Sequence, residues 1–207
     1  MANIIIDLDG TLIDSKPRLY HLFQQLVPES KLSYNEYWEL KQNKISNEVI
    51  LVNKFGYDEV ATQYFVANWM KHIEATEFLA FDKNLPEVKE TLDRLRKQAE
   101  LHVCTSRQFR QSTIDQLERL GLLSYFNTIM VTEQRKSKKD LIFDYVSGLS
   151  PNDWMIGDTG KDIQVGHDIG IKTCGVLSGF LSEKSLKSYK PDLILSSVAD
   201  FIFNESQ

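Results

Sequence analysis

Residues 3–11 read Asn3-Ile4-Ile5-Ile6-Asp7-Leu8-Asp9-Gly10-Thr11: an apolar run, then two acids one residue apart, then a glycine and a hydroxyl. The apolar part is continuous rather than alternating, which is how a strand buried on both faces reads. Five further runs have the same character: Leu101–Cys104, Thr128–Val131, Trp154–Ile156, Thr173–Val176 and Leu193–Leu195. Between most of them lie helical patterns, at Leu85–Gln98, Arg110–Leu120, Lys139–Ser147 and Lys161–Ile169. The second of these stops at Gly121 and the last at Gly170, where glycine supplies the left-handed C-terminal residue. Strands alternating with helices predict an α/β fold, a Rossmann-like parallel sheet between two helical layers.

One stretch interrupts the alternation. From Ser15 to Leu79 the pattern contains helices only, near Pro17–Val27, Ser33–Lys44, Asn47–Phe55 and Asp58–Glu77. The expected organisation is therefore a core of residues 1–14 and 80–207 with a helical cap domain, 15–79, inserted after the first strand. Its aromatics, Tyr34, Tyr37, Trp38, Tyr64, Phe65 and Trp69, are expected to form a small core of their own. Hinges are expected near Asp14–Lys16 and Ala80–Asp82.

Composition narrows the function. A net charge of -5 over 207 residues offers no basic surplus to neutralise a nucleic-acid backbone. No apolar run approaches the roughly 20 residues that span a bilayer, and acids occupy the place of a signal-peptide core. A cytoplasmic protein without membrane or nucleic-acid partners is expected, as a monomer or homodimer. Cys104 and Cys174 end apolar runs and read as buried thiols. His21, His72, His102 and His167 fall in no metal-ligand spacing and read as structural or surface residues.

In an open parallel sheet, ligands bind at the carboxyl ends of the strands. Those ends carry Asp7 and Asp9, then Thr105 and Ser106, then Gly157-Asp158-Thr159-Gly160-Lys161-Asp162; beyond Val131 follow Arg135, Lys136, Lys138 and Lys139. Asp7 and Asp158 can share one hard cation through carboxylate oxygens. A carboxylate can also attack phosphorus, and a second acid can exchange a proton with the leaving group, given a raised or coupled pKa. A hydroxyl and a lysine directed at the phosphate would complete such a site. Gly10 permits a tight turn with free N–H groups beside it.

DLDGTLIDS resembles the first motif, DxDGTxxD, of the haloacid dehalogenase-like hydrolases. Thr105 is similar to the second motif, and GDTGKD to the fourth, GDxxxD. The resemblance spans nearly the whole chain and is nearest to phosphoglycolate phosphatase-like members with a helical cap. It implies Asp7 as nucleophile, Asp9 as general acid/base, and magnesium held by Asp7, Asp158 and the Asp9 carbonyl. Asp162 would support the metal or the lysine. Thr105, Ser106, Gly10 and a lysine would bind the phosphoryl group. For that lysine, the pattern K-x-D-hydrophobic-I favours Lys138, while a K-P-x-P-x pattern points to Lys136 and Lys139 remains. The implied activity is hydrolysis of a small phosphorylated metabolite. Asp9 separates this from dehalogenation, which needs no proton on its leaving group. A β-phosphoglucomutase-like mutase shares the same motifs, and a non-catalytic binding module on this scaffold would be expected to lack one of these acids. Arg18, Lys41 and Lys44 are the insertion's candidates for contacting substrate.

Overall fold

The computed structural model describes residues 1–203; the last four residues of the expected core range, 204–207, lie outside the described residues. The strands are β1 (Ala2–Ile6), β2 (Ile13–Asp14), β3 (Lys83–Asn84), β4 (Ala99–Thr105), β5 (Thr128–Val131), β6 (Trp154–Gly157), β7 (Lys172–Val176) and β8 (Leu193–Leu195). The helices are α1 (Lys16–Leu26), α2 (Tyr34–Gln42), α3 (Asn47–Phe55), α4 (Glu59–His72), α5 (Thr76–Leu79), α6 (Val88–Leu95), α7 (Arg110–Arg119), α8 (Lys138–Tyr145), α9 (Gly160–Ile169) and α10 (Glu183–Lys187).

Six strands form one sheet in the order β5-β4-β1-β6-β7-β8, and every pairing in it is parallel. Successive strand residues point to opposite faces, and β1 shows the result directly. Ile4 and Ile6 join one buried cluster with Val88 and Leu92 of α6 and Leu117 of α7. Ile5 joins the other, with Leu141 and Ile142 of α8, Met130 and Met155. Burial on both sides accounts for the unbroken apolar runs. Chain order reverses at β1, which sits between β4 and β6, so a crevice opens beyond its carboxyl end.

Helices α1–α4 enclose a third cluster of Phe23, Val27, Tyr37, Trp38, Ile50, Leu51 and Phe65. Tyr34 and Trp69 pack on its margin, whereas Tyr64 is 73% exposed. Tyr64 adjoins Phe65 in α4, and a helix turns about 100° per residue, so only one of the two can face inward. Leu85–Gln98 contracts to α6, because Glu87 adopts a left-handed φ of 57°. The linkers at the insertion's two ends are zipped together: β2 and β3 pair antiparallel, Ile13 with Asn84 and Asp14 with Lys83. Strands of two residues have no periodicity for a sequence to display.

Candidate active site

Asp7 is the first residue beyond β1, and its N–H donates to the Ile156 carbonyl at 2.8 Å. Ile6 is in register with Ile156, so Asp158 emerges from the neighbouring strand one residue beyond the level of Asp7. Asp7, Asp9, Thr105, Ser106, Lys138, Asp158 and Asp162 all line one cavity of about 510 Å³. Arg18, Leu19, Met70, Ile73 and Glu74 of the helical insertion close its far side.

The carboxylates near β1 are crowded. Oxygens of Asp7, Asp158 and Asp162 lie within 4.8 Å of one another, and all three residues are buried. Burial raises the Asp7 carboxyl to about 7, against the nearby Lys138 ammonium. Burial, then Asp7 and Asp162, push Asp158 well above the usual carboxylate range. Asp158 Oδ2 accepts from the Phe180 N–H at 2.7 Å. Gly10 stands behind it with φ 81°, and a Cβ there would lie 2.6 Å from Asp158 Oδ2. Glycine is thus required both for the backbone and for the close approach.

Among the three candidate lysines, Lys138 is the one that reaches Asp7. Its Nζ donates to Asp7 Oδ1 at 2.5 Å and to Asp162 Oδ1 at 2.6 Å. Burial opposes its charge, but Asp162 and Asp7 more than offset that and hold it firmly protonated. Ser137 aims it by capping α8, accepting from the Asp140 N–H at 3.1 Å. Lys136 lies at the surface and pairs with Asp144, and Lys139 is half-buried. The other oxygen of Asp162 accepts from Thr159, N–H at 3.1 Å and hydroxyl at 2.6 Å. Asp162 is thereby committed to the lysine and its own helix start. Three carboxylates with one ammonium remain short of positive charge, and an all-oxygen donor set suits a hard divalent cation. The least encumbered oxygens belong to Asp7 and Asp158.

Asp9 has different surroundings. Arg107 Nε donates to its Oδ2 at 2.8 Å and Arg107 NH2 to its Oδ1 at 2.9 Å. Arg18 NH2 also donates to Asp9 Oδ1. Burial would raise this carboxyl, but Arg107 and then Arg18 outweigh it and hold it well below the carboxylate range. The acid/base role asks Asp9 for a raised or coupled pKa; its carboxyl is lowered, because two guanidiniums stabilise the anion, and the raised carboxyl is that of Asp7. Both arginines also meet buried Asp82, each at 3.3 Å, and Gln116 Nε2 donates to Asp82 at 2.7 Å.

Of this network the sequence reading named Asp9 and Arg18 and missed Arg107. Arg107 follows Thr105-Ser106 in the strand-end loop, a position that could have drawn notice. Asp82 gave no signal; it acts because the linker brings it beside two arginines. Glu74 gave none either: it accepts from the Gln108 N–H at 2.7 Å and the Phe109 N–H at 3.2 Å, fastening α4 to the loop before α7.

The sequence profile of the haloacid dehalogenase-like hydrolases matches residues 4–176. The chain belongs to this family. It is 26% identical to a pyrophosphatase, PpaX, of Oceanobacillus iheyensis, over 98% of this chain and 95% of the relative. It is 28% identical to a phosphoglycolate phosphatase of Aquifex aeolicus, over 98% and 95% of the two chains. A haloacid dehalogenase-like hydrolase structure from Streptococcus pneumoniae superposes with a TM-score of 0.78 at 20% identity, covering 96% of this chain and 95% of that one. No described helix is long and apolar enough to cross a membrane.

Proposed function

We propose that this hydrolase is a magnesium-dependent phosphatase acting on a small phosphate monoester through an aspartyl-phosphate on Asp7. The observation that carries the reading is Asp7 itself: buried, held at 2.5 Å by Lys138, with Asp9 and Asp158 on the same cavity wall. Phosphatase names among the relatives support it.

In this reading an Asp7 oxygen attacks phosphorus while Lys138 and the Thr105 hydroxyl bind the phosphoryl oxygens. Magnesium, held by Asp7, Asp158 and the Asp9 carbonyl, would neutralise charge on the phosphoryl group. Asp9 protonates the departing oxygen and later takes a proton from water. Arg107 and Arg18 favour its anion, the form that accepts the water proton. The acid step requires these guanidiniums to turn from Asp9 toward the substrate's anionic oxygens. Residues 15–79 serve as a cap over a core of 1–14 and 80 onward, flexing at the β2–β3 ribbon to admit substrate.

Phosphate release from a panel of small esters, with magnesium, with EDTA and with Asp7→Asn, tests the reading. Release requiring both the metal and Asp7 is expected. No release from any ester by folded, magnesium-loaded protein would overturn it.

A further inference from the structure

Beside the catalytic cavity lies a second one of about 400 Å³, walled by Trp38, Lys41, Asn47 and Trp69 of the insertion and by Phe180 and Leu181 from the loop after β7. The two cavities share Leu19, Lys44, Phe180 and Leu181 as wall residues. They are adjoining compartments, and Phe180 joins them chemically. Its ring stacks on Trp38 with centroids 5.4 Å apart, while its N–H holds Asp158.

The slot's polar groups are unbalanced. Its described wall includes Lys41 and Lys44 and no Asp or Glu. Lys41 Nζ donates to Asn47 Oδ1 at 3.1 Å, an oxygen that also accepts from the Tyr37 hydroxyl at 3.0 Å. No described carboxylate lies within ion-pair distance of Lys41. Burial lowers its ammonium to about 8, only partly offset by Glu48. Lys44 is turned to the core, donating to Ser188 Oγ at 2.8 Å. Trp38 is 5% exposed, and its buried indole N–H has no acceptor among the described residues. A buried N–H without a partner is uncommon and costly. An ammonium with no carboxylate beside it, set among the aromatic faces of Trp38, Trp69 and Phe180, forms a pocket for an anion on an apolar or planar body.

We propose that this slot receives the substrate's leaving group, and that the leaving group is an organic anion whose carboxylate or equivalent group meets Lys41. The inference rests on the phosphatase reading and narrows it. Inorganic pyrophosphate and two-carbon phosphoacids leave the aromatic compartment unfilled and are poor substrates.

The test compares 4-carboxybenzyl phosphate with benzyl phosphate, which differ by the carboxylate alone, with p-nitrophenyl phosphate as a general reporter. The carboxylated ester should show a kcat/KM about tenfold or more higher, the scale of one charge-assisted contact. Lys41→Met and Lys41→Gln should both remove that preference, bringing kcat/KM for the carboxylated ester down to that for benzyl phosphate measured on the same variant. In Asp7→Asn protein, 4-carboxybenzyl phosphate should alter tryptophan fluorescence, and Lys41→Met should weaken that response. Equal turnover of the two benzyl esters, or a preference that survives both Lys41 variants, overturns the slot inference and leaves the phosphatase reading intact. Turnover of p-nitrophenyl phosphate with neither benzyl ester does the same. No release from any of the three overturns both.

Discussion

The two sides of the catalytic cavity contain the same kinds of charge in different proportions. Around Asp7, three carboxylates face the Lys138 ammonium. Around Asp9, two carboxylates, Asp9 and Asp82, face two guanidiniums, Arg18 and Arg107. The first side is built on the ends of β1 and β6 and on the first turns of α8 and α9. The second joins β1, the loop after β4, the insertion and its linker. The contrast teaches that carboxylates alone do not define a cation site. The Asp9 side is already neutralised from within the chain, and the Asp7 side calls for a cation from outside it.

Breaking the Asp7 side should cost most in activity. Asp7→Asn keeps the shape and removes the proposed nucleophile, so kcat should fall by about 10⁴-fold or more, with the fold retained by circular dichroism. On the Asp9 side the main penalty should be structural. Arg107→Ala leaves Asp9 and Asp82 sharing Arg18 alone, and breaking such a buried pair costs about 3–5 kcal/mol, measurable by urea unfolding.

Metal should separate the two sides. If the proposed metal binds, magnesium at about 100 times its Kd should add roughly 2.7 kcal/mol, a Tm rise of about 5 °C or more. Asp158→Asn should abolish that rise while raising the Tm of the metal-free protein, because it relieves carboxylate crowding. A Tm of Asp158→Asn that still climbs with magnesium would move the metal elsewhere. The smallest effect sharpens the choice among lysines. Lys136→Ala, at an exposed pair with Asp144, should change stability by less than about 0.5 kcal/mol and leave kcat unaltered.

Much of the fold was legible because burial on both faces leaves a mark in each strand. All six apolar runs lie within strands of the main sheet, which extend at most two residues beyond them. The helices of the insertion showed likewise, though Asp58–Glu77 divides into α4 and α5. Where local pattern was weak, the reading failed: the β2–β3 ribbon is too short to carry a period, and Tyr64 turned outward.

The site divides along the same line. Asp7, Asp9, Thr105 and Asp158 follow apolar runs, and a parallel sheet delivers strand ends to one edge, so the sequence by itself determined that they meet. Lys138 over Lys136 depended on how Ser137 starts α8. The arginine grip on Asp9, the place of Asp82 within it and the aromatic slot beside Lys41 were decided by tertiary structure alone. Each joins residues from distant segments, and electrostatic energy depends on distance and burial in space rather than on separation along the chain.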